Sequence, residues 1–588
     1  MGREVVHRPQ GRATSIAILA ALVFISACTS ASPSRPSSGA APSGASTEPA
    51  RSVTLVMAAR GEMPSLSARP MRDFGLGGRS TVSLFSRGLA IKDASGTSQP
   101  YLAETLPQLN TDSWRVLPDG GMETTYRLRP DLTWHDGTAL TSEDWAFSWR
   151  VYQVPELGHA GASPIDRIMG IDTPDARTLV IRWKQPWAQA GMLDVTDQTN
   201  FPPLPRHLLE EQFGRANWDG FVALPYWTVE YIGQGPYRLD RWEIGSFLEG
   251  SAFDKHSLGR PLIDKVRVMF IADANAVVAN LLAGETQITV DSPLAFQQGM
   301  IVRREWAPRN VGTVLVYPVF YRWLVVQQRA EFANPRSLRD IRVRKALAHS
   351  IDKSALNEAL FEGEGIMADS PISNNSAFFS LVDRATAKYP YDLRMTEQLM
   401  TEAGYTKGGD GTYQSAADGR FSTELSVLAN VQNQQELGIV GAGWRQLGFD
   451  VGEIVWPQAY GQDSQLRNTH PGLSGTNGPG GPDAVLDYGV ATLPRPENRW
   501  LGSNRGGWTN PEFDRLAGTF NSTLVHEERN QILAQLVRVL TSDAAYISLW
   551  FNPTVTAYVT GLTGPGVVPP DGDVAWNVHL WQYQSPRS

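Results

Sequence analysis

No apolar run in this chain reaches the roughly 18 residues that a membrane-spanning helix needs. Glycine or proline interrupts it about every sixth residue, with 54 and 39 among 588. Both facts demand short secondary-structure elements. They exclude a long helical bundle, because interior proline removes a backbone donor and glycine costs chain entropy. A single hydrophobic core stops growing near roughly 250–300 residues, so 588 residues predict two or more lobes. A net charge of −8 argues against a nucleic-acid surface, which takes clustered lysine and arginine. One cysteine cannot build a disulfide framework, a cysteine-based zinc site or an iron–sulfur cluster, and no cofactor is expected.

The cysteine sits in an N-terminal address. Arg3, Arg8 and Arg12 precede an apolar stretch from Ile16 to Ile25, long enough for a secretory core and too short to cross a bilayer. Ile25-Ser26-Ala27-Cys28 then resembles the lipobox of bacterial lipoproteins, in which the cysteine carries a diacylglycerol. Residues 1–27 are therefore expected to be a removed signal peptide and Cys28 the lipidation site. From there to residue 50 the chain is almost only Ser, Ala, Pro, Gly and Thr. Such a segment cannot bury enough apolar surface to offset ordering entropy, so 28–50 is expected to be a disordered tether. An anchor followed by a tether implies a body working just outside a membrane.

Beyond residue 50, strands and helices mix, with the helices gathered in the second half. Apolar patterning predicts strands over 51–58, 125–129 and 177–183. Thr141-x-x-Asp144 reads as a capping-box variant ahead of Trp145, Trp149 and Tyr152 at helical spacing. Further helices are predicted over 339–360, with Val343, Leu347, Ile351 and Ala355 on one stripe, over 391–403 ended by Gly404, over 434–447 and over 524–541. His135-Asp136-Gly137 reads as a turn with Gly137 at positive φ. The stretch 471–482 (PGLSGTNGPGGP) reads as a Gly/Pro loop, mobile or in contact with ligand. Arg342 and Arg344 read as solvated or salt-bridged helix residues.

Catalytic patterns are sparse. There is no Gly-Lys dipeptide and hence no phosphate-binding P-loop, and His526 lacks the second histidine of a zincin helix. Gly233-Gln234-Gly235-Pro236 lacks the third glycine of a dinucleotide fingerprint. Ser350-Ile351-Asp352-Lys353 fits the S-x-x-K nucleophile pattern of penicillin-recognising enzymes, but the partner K-T-G is absent. A solvated helix face accounts for it better, and an extracellular serine hydrolase is the reading kept from a different class.

The most specific signal is a series of blocks in fixed order. Tyr126-Arg127-Leu128-Arg129-Pro130 through Trp134-His135-Asp136-Gly137-Thr138 to Phe147-Ser148-Trp149 closely resembles the signature of family 5 extracellular solute-binding proteins, the cluster C receptors of peptide and nickel ABC importers. Pro100-Tyr101-Leu102-Ala103-Glu104 is similar to the family's block ahead of that signature. Gly233 to Leu239, Leu282-Ala283-Gly284-Glu285 with Ile288, Asp340 to Leu347 with Ile351-Asp352-Lys353, and Asn510-Pro511-Glu512-Phe513-Asp514 resemble later blocks.

The resemblance implies an α/β, two-lobed periplasmic-binding-protein-like fold (type II, cluster C) with an extra subdomain in lobe I. Lobe I would comprise 51–91, 227–316 and 553–588, the extra subdomain 92–226, and lobe II 317–552, with crossings near 316–323 and 549–553. It further implies an extracytoplasmic, lipid-anchored and monomeric solute receptor, not an enzyme. Such a receptor would close on a small ligand and deliver it to an ABC permease and its ATPase complex, with no nucleic-acid partner and no resident metal. Peptides lead as ligand class, followed by oligosaccharides, which 18 tryptophans would suit by stacking, and then metal chelates, for which His470 stands alone. In peptide-binding relatives an aspartate after lobe II's second helical region holds the peptide ammonium. Here the corresponding stretch centres on Gly475-Thr476-Asn477-Gly478, which counts against a simple free amine and leaves Asp483 and Asp487 as expected substitutes. Tyr460, after Trp456, roughly matches the aromatic that flanks the ligand in those relatives, and Phe74 lies near the family's lobe I contact loop, so Phe74, Trp456 and Tyr460 are expected ligand contacts.

Overall fold

The structure, a computed structural model, describes residues 53–67, 78–195, 199–457, 460–461 and 463–584. The expected signal and tether, Cys28 and Phe74 lie outside the described residues. The strands of the two larger sheets are, in chain order, β1 (Thr54–Ala59), β2 (Trp114–Val116), β3 (Met122–Arg127), β4 (Ile168–Asp175), β5 (Thr178–Trp183), β6 (Tyr237–Glu243), β7 (Phe247–Ala252), β8 (Lys265–Phe270), β9 (Ile288–Thr289), β10 (Gly312–Val326), β11 (Ile366–Met367), β12 (Ser422–Leu428), β13 (Asp450–Trp456), β14 (Leu473–Pro479) and β15 (Tyr546–Val559). The larger sheet runs β13–β12–β14–β10–β15–β9–β1–β8–β7–β6, with β11 added against β15. A four-stranded sheet, β2–β3–β5–β4, stands apart from it.

Two strands form the spine. β10 and β15 are 15 and 14 residues long and pair antiparallel from Gly312 opposite Val559 to Val325 opposite Tyr546, with register shifts at Pro318/Phe320 and Arg322/Trp323. Pro318 faces Pro553 at the first shift. Neither can donate a ladder hydrogen bond, which weakens the pairing there. On one side of this break β15 borders β9 at Tyr558. On the other, β10 borders β14 and β15 borders β11. The two wings of the sheet therefore hang on opposite ends of one strand pair, and the stretches 316–323 and 549–553 lie side by side in its ladder.

Apolar side chains collect in clusters, and the second of them crosses the strand pair, joining Ala58, Val277, Phe296 and Trp306 of the β1 wing to residues of the other wing. Leu55, Tyr126, Trp134, Trp145, Trp183, Val266 and Trp581 belong to one that joins the β1 wing to the four-stranded sheet. Val343, Leu347, Leu425, Trp444 and Leu549 belong to a second, and Phe513, Leu536, Val537 and Phe551 to a third.

Helices largely match the patterning. α1 (Ser142–Tyr152) starts where the Asp144 carboxylate accepts the Thr141 N–H at 2.9 Å. The predicted helix over 339–360 is instead two, α2 (Ile341–His349) and α3 (Lys353–Phe361). Asp352 divides them, because its carboxylate caps α3 by accepting the Ala355 N–H at 2.9 Å. α4 (Leu393–Glu402), α5 (Val431–Gln446) and the pair α6 (Pro511–Ser522) and α7 (His526–Ser542) are further helices of the second half. Gly137 takes φ 89° in its turn.

Two local expectations are corrected. The 471–482 segment is not a loop over most of its length but the interior strand β14. Its glycines serve close approach: a Cβ at Gly475 would lie 3.0 Å from Val427 and 3.3 Å from both the Arg322 guanidinium and the Glu436 carboxylate. Arg344 is buried rather than solvated, and its guanidinium donates to the carbonyls of Leu338, Arg339, Asp543 and Ala544. Arg342 is exposed and pairs with Asp340.

Candidate functional site

β12 runs parallel to both β13 and β14, and Leu428 stands opposite Trp456 where β12 and β13 end. Ligands of such sheets collect at the carboxyl ends of the strands. Here Val325, Leu428, Trp456, Arg467, His470, Ser474, Gly475, Thr476 and Arg505 line a small cavity of about 20 Å³ that opens to solvent. The pairing of β14 with β12 stops at Ser474, so from Gly475 onward its recorded strand partner is β10 alone.

Two short segments carry the cationic wall. The helical turn Ser464–Asn468, capped by the Asp463 carboxylate on the Leu466 N–H, presents Arg467. Asn468 pins its end by donating to the Ser464 and Trp500 carbonyls at 2.7 and 2.8 Å. Arg505 arrives on the segment after Trp500, where the Gly506 carbonyl accepts the Gln328 N–H at 2.8 Å and a Cβ on Gly506 would meet the Val326 carbonyl at 2.4 Å. Arg329 braces both segments by donating to the carbonyls of Asn468, Pro494 and Arg505.

The hydrogen bonding of these cations is incomplete. The Arg505 Nη1 donates to Thr476 Oγ1 at 3.1 Å, and the buried Nε of Arg467 has no partner. No carboxylate forms an ion pair with either among the described residues. Burial first, and then the neighbouring Arg467 charge, push the Arg505 pKa down to about 10, against Tyr488 and Asp487. His470 is 2% exposed and neither ring nitrogen makes a hydrogen bond of regular geometry. Burial and then Arg329 hold its pKa down to about 3, with Arg505 adding to them and the Gly472 backbone opposing. His470 is neutral at pH 7.

The sequence-derived site residues are divided by the structure. Trp456 lines the cavity. Tyr460 follows β13 at a turn, 46% exposed, and is not among the lining residues. Asp483 lies in the short helix Pro482–Leu486 and Asp487 caps its end, both exposed and neither lining the cavity. Loss of hydration at the Asp487 carboxyl raises its pKa; a Ser503 hydrogen bond opposes this, while Asp483 adds to it. Arg467, Arg505 and Thr476 were not foreseen, because nothing in their spacing brings them together. The signal that was available is the missing aspartate at Gly475-Thr476-Asn477-Gly478.

The S-x-x-K pattern does not form a catalytic pair. The buried Ser350 hydroxyl donates to the Leu347 carbonyl and accepts from Trp444 Nε1, each at 2.8 Å, while Lys353 pairs with Asp369 at 2.9 Å. Serine and lysine are thus both committed to structural contacts. Among the described residues no group of three or more His, Cys, Asp or Glu could hold a metal ion, and no helix is long and apolar enough to cross a membrane.

Comparison with known proteins gives the family and the fold. The family model described as bacterial extracellular solute-binding proteins, family 5 middle, matches residues 104–489. A Brucella ovis protein named for ABC-transporter peptide binding is 28% identical over 309 residues, which are 50% of this chain and 51% of that one; the chain thus spans about half the length of this relative. The oligopeptide-binding protein AppA of Bacillus subtilis is 24% identical over 503 residues, 82% of this chain and 86% of its own. NikZ from Campylobacter jejuni, solved with Ni(L-His), has the same mixed α/β fold, with a TM-score of 0.67 at 20% identity over 90% of this chain and 99% of that one.

Proposed function

We propose that this chain, which belongs to the bacterial extracellular solute-binding proteins of family 5, captures a peptide-class solute between two lobes and delivers it to an ABC permease and its ATPase. Lobe I is assigned to 51–91, 227–316 and 553–588 with a subdomain over 92–226, and lobe II to 317–552. The observation that carries this reading is the β10–β15 ladder, with a wing of the sheet at each end and Pro318 facing Pro553 between them. Bending at such a break closes one wing on the other around a ligand. The edge of β14 beyond Ser474 supports a peptide, because main-chain groups of an extended ligand can pair with an open strand edge without reading its sequence. Relatives named for peptide binding support the same class.

Native mass spectrometry of the protein isolated from cells, followed by small-angle scattering after the bound mass is stripped and restored, tests the proposal. The expected result is a retained mass in the peptide range and a smaller radius of gyration once it is restored. A protein that carries nothing, and does not contract with a peptide mixture, refutes it. The lipid anchor belongs to the same proposal. Cys28→Ala should move the protein from the membrane to the soluble fraction, and retention on membranes excludes Cys28 as the attachment point.

A further inference from the structure

The buried arginines of this molecule show what a settled guanidinium looks like. Arg322 meets Glu436 through two hydrogen bonds of 2.8 and 3.0 Å. Arg344 donates to four carbonyls; Arg87 has a carboxylate in Asp573 and the Ala575 carbonyl, although its buried Nε has no partner. A guanidinium carries five N–H donors, and buried donors in folded proteins are nearly always satisfied. At the cavity the protein itself answers fewer of these donors. Arg505 makes one side-chain hydrogen bond, to Thr476, and the buried Nε of Arg467 makes none. Beside them the fully buried His470 lines the same space with both ring nitrogens short of a regular partner. Asp483 and Asp487 do not line it.

We infer that this cavity holds a carboxylate of the captured solute between Arg467 and Arg505, so that the receptor selects peptides that present a free carboxyl group there rather than an ammonium group. The inference rests on the receptor reading above and adds the charge of the ligand. Two convergent guanidiniums match a carboxylate's planar pair of oxygens. Neutral His470 can donate one N–H without adding a charge to be desolvated, and Thr476 holds Arg505 in register with β14. The Trp456 ring flanks the opening and suits the apolar part of whatever carries the carboxylate. Loading therefore supplies acceptors to guanidinium donors that the protein leaves open, and charge-assisted hydrogen bonds of this kind are the strong ones.

Two probes test the assignment: a mixture of random tri- to pentapeptides with free carboxylates, and the same mixture methyl-esterified to cap every carboxylate. Native mass spectrometry and ligand-induced thermal shifts are read on the full chain. The wild type should retain peptides from the first mixture and not from the second. Arg467→Gln and Arg505→Gln should each lower retention from the first mixture about tenfold or more, with unliganded thermal midpoints equal to or above the wild type. Should either variant fail to fold, Thr476→Val, which removes only the hydroxyl that orients Arg505, should still weaken free-acid binding several-fold. Equal retention of both mixtures, or variants that bind the acids as the wild type does, overturns the carboxylate site and leaves the receptor reading intact. Retention of neither mixture by the wild type overturns the peptide reading and this inference with it. A thermal shift with sodium sulfate that depends on both arginines, and that the free-acid peptides do not displace, identifies an adventitious ion only and also overturns it.

Discussion

Arg322 and Arg505 meet β14 at adjacent residues yet live in opposite circumstances. The Arg322 guanidinium lies 3.3 Å from where a Cβ of Gly475 would stand and is paired with Glu436, both side chains 1% exposed. The Arg505 guanidinium binds the hydroxyl of Thr476, one position on, and forms no ion pair among the described residues, with Asp487 acting on it only at longer range. Neighbouring positions in a strand face opposite sides of a sheet. One face of β14 therefore carries a neutralised cation within the packing of α5, and the other a cation left open at a cavity. A buried charge that is paired belongs to the fold. A half-buried charge that no ion pair neutralises can take its counter-charge from a ligand in the cavity.

The comparison can be broken at its paired end first. Glu436→Ala leaves Arg322 charged and alone in the interior, and the loss should be about 3–5 kcal/mol of stability, read as a lowered denaturant midpoint by calorimetry or tryptophan fluorescence. A loss under about 1 kcal/mol would show that Arg322 does not depend on its partner, and the contrast with Arg505 would collapse.

The open end responds to acid. The His470 pKa is held at about 3 in the fold against an ordinary value of 6.5, so below pH 6.5 the unfolded chain binds a proton that the folded chain does not. Its contribution to stability is complete above pH 6.5 and is lost as the pH falls toward 3, reaching up to about 2 kcal/mol by pH 5. Burial is also the leading cause that lowers His135, His256 and His579, to about 4, 3 and 4, so His470 contributes one share of a wider acid sensitivity. His470→Gln should flatten the decline between pH 6.5 and 5, and an unchanged decline would mean that this histidine is already charged or hydrated in the fold.

The smallest effect sharpens the contrast. Thr476→Val in the ligand-free protein should cost no more than about 1 kcal/mol, far less than Glu436→Ala, because Arg505 keeps access to solvent through the cavity. A cost that matches Glu436→Ala would make Thr476 a structural anchor and remove its role in presenting Arg505.

The sequence carried local structure and family further than it carried the site. The capping residues Thr141 and Asp144, the positive φ at Gly137 and the helix over 524–541 all follow from short-range chemistry, and the residues read that way lie close to where the structure has them. Asp352 was equally visible, yet the apolar stripe through Ile351 concealed its capping role, because burial of Ile351 does not require a helix there. β14 was read as a loop because glycine and proline are counted as breakers. Only the tertiary placement of Val427, Arg322 and Glu436 reveals that Gly475 is an interior strand residue with no room for a side chain. Asp483 and Asp487 were selected for their charge near a missing aspartate. That reasoning preserved the sign of the expected ligand group, whereas Arg467 and Arg505, 38 residues apart in the chain, meet only through the bracing of Arg329.

The position of β15 also sets the order in which this protein can be completed. Residues 546–559 are synthesised after every other strand of the larger sheet, yet they occupy its middle, between β10 and β9. Until they emerge, each wing presents an open edge that can pair with the wrong strand or with another chain. Export of the nascent chain through a membrane would therefore end with the decisive step rather than begin with it. A stop or frameshift shortly before residue 546 would leave most of the chain present and both edges uncovered, a product suited to aggregation or proteolysis instead of partial function.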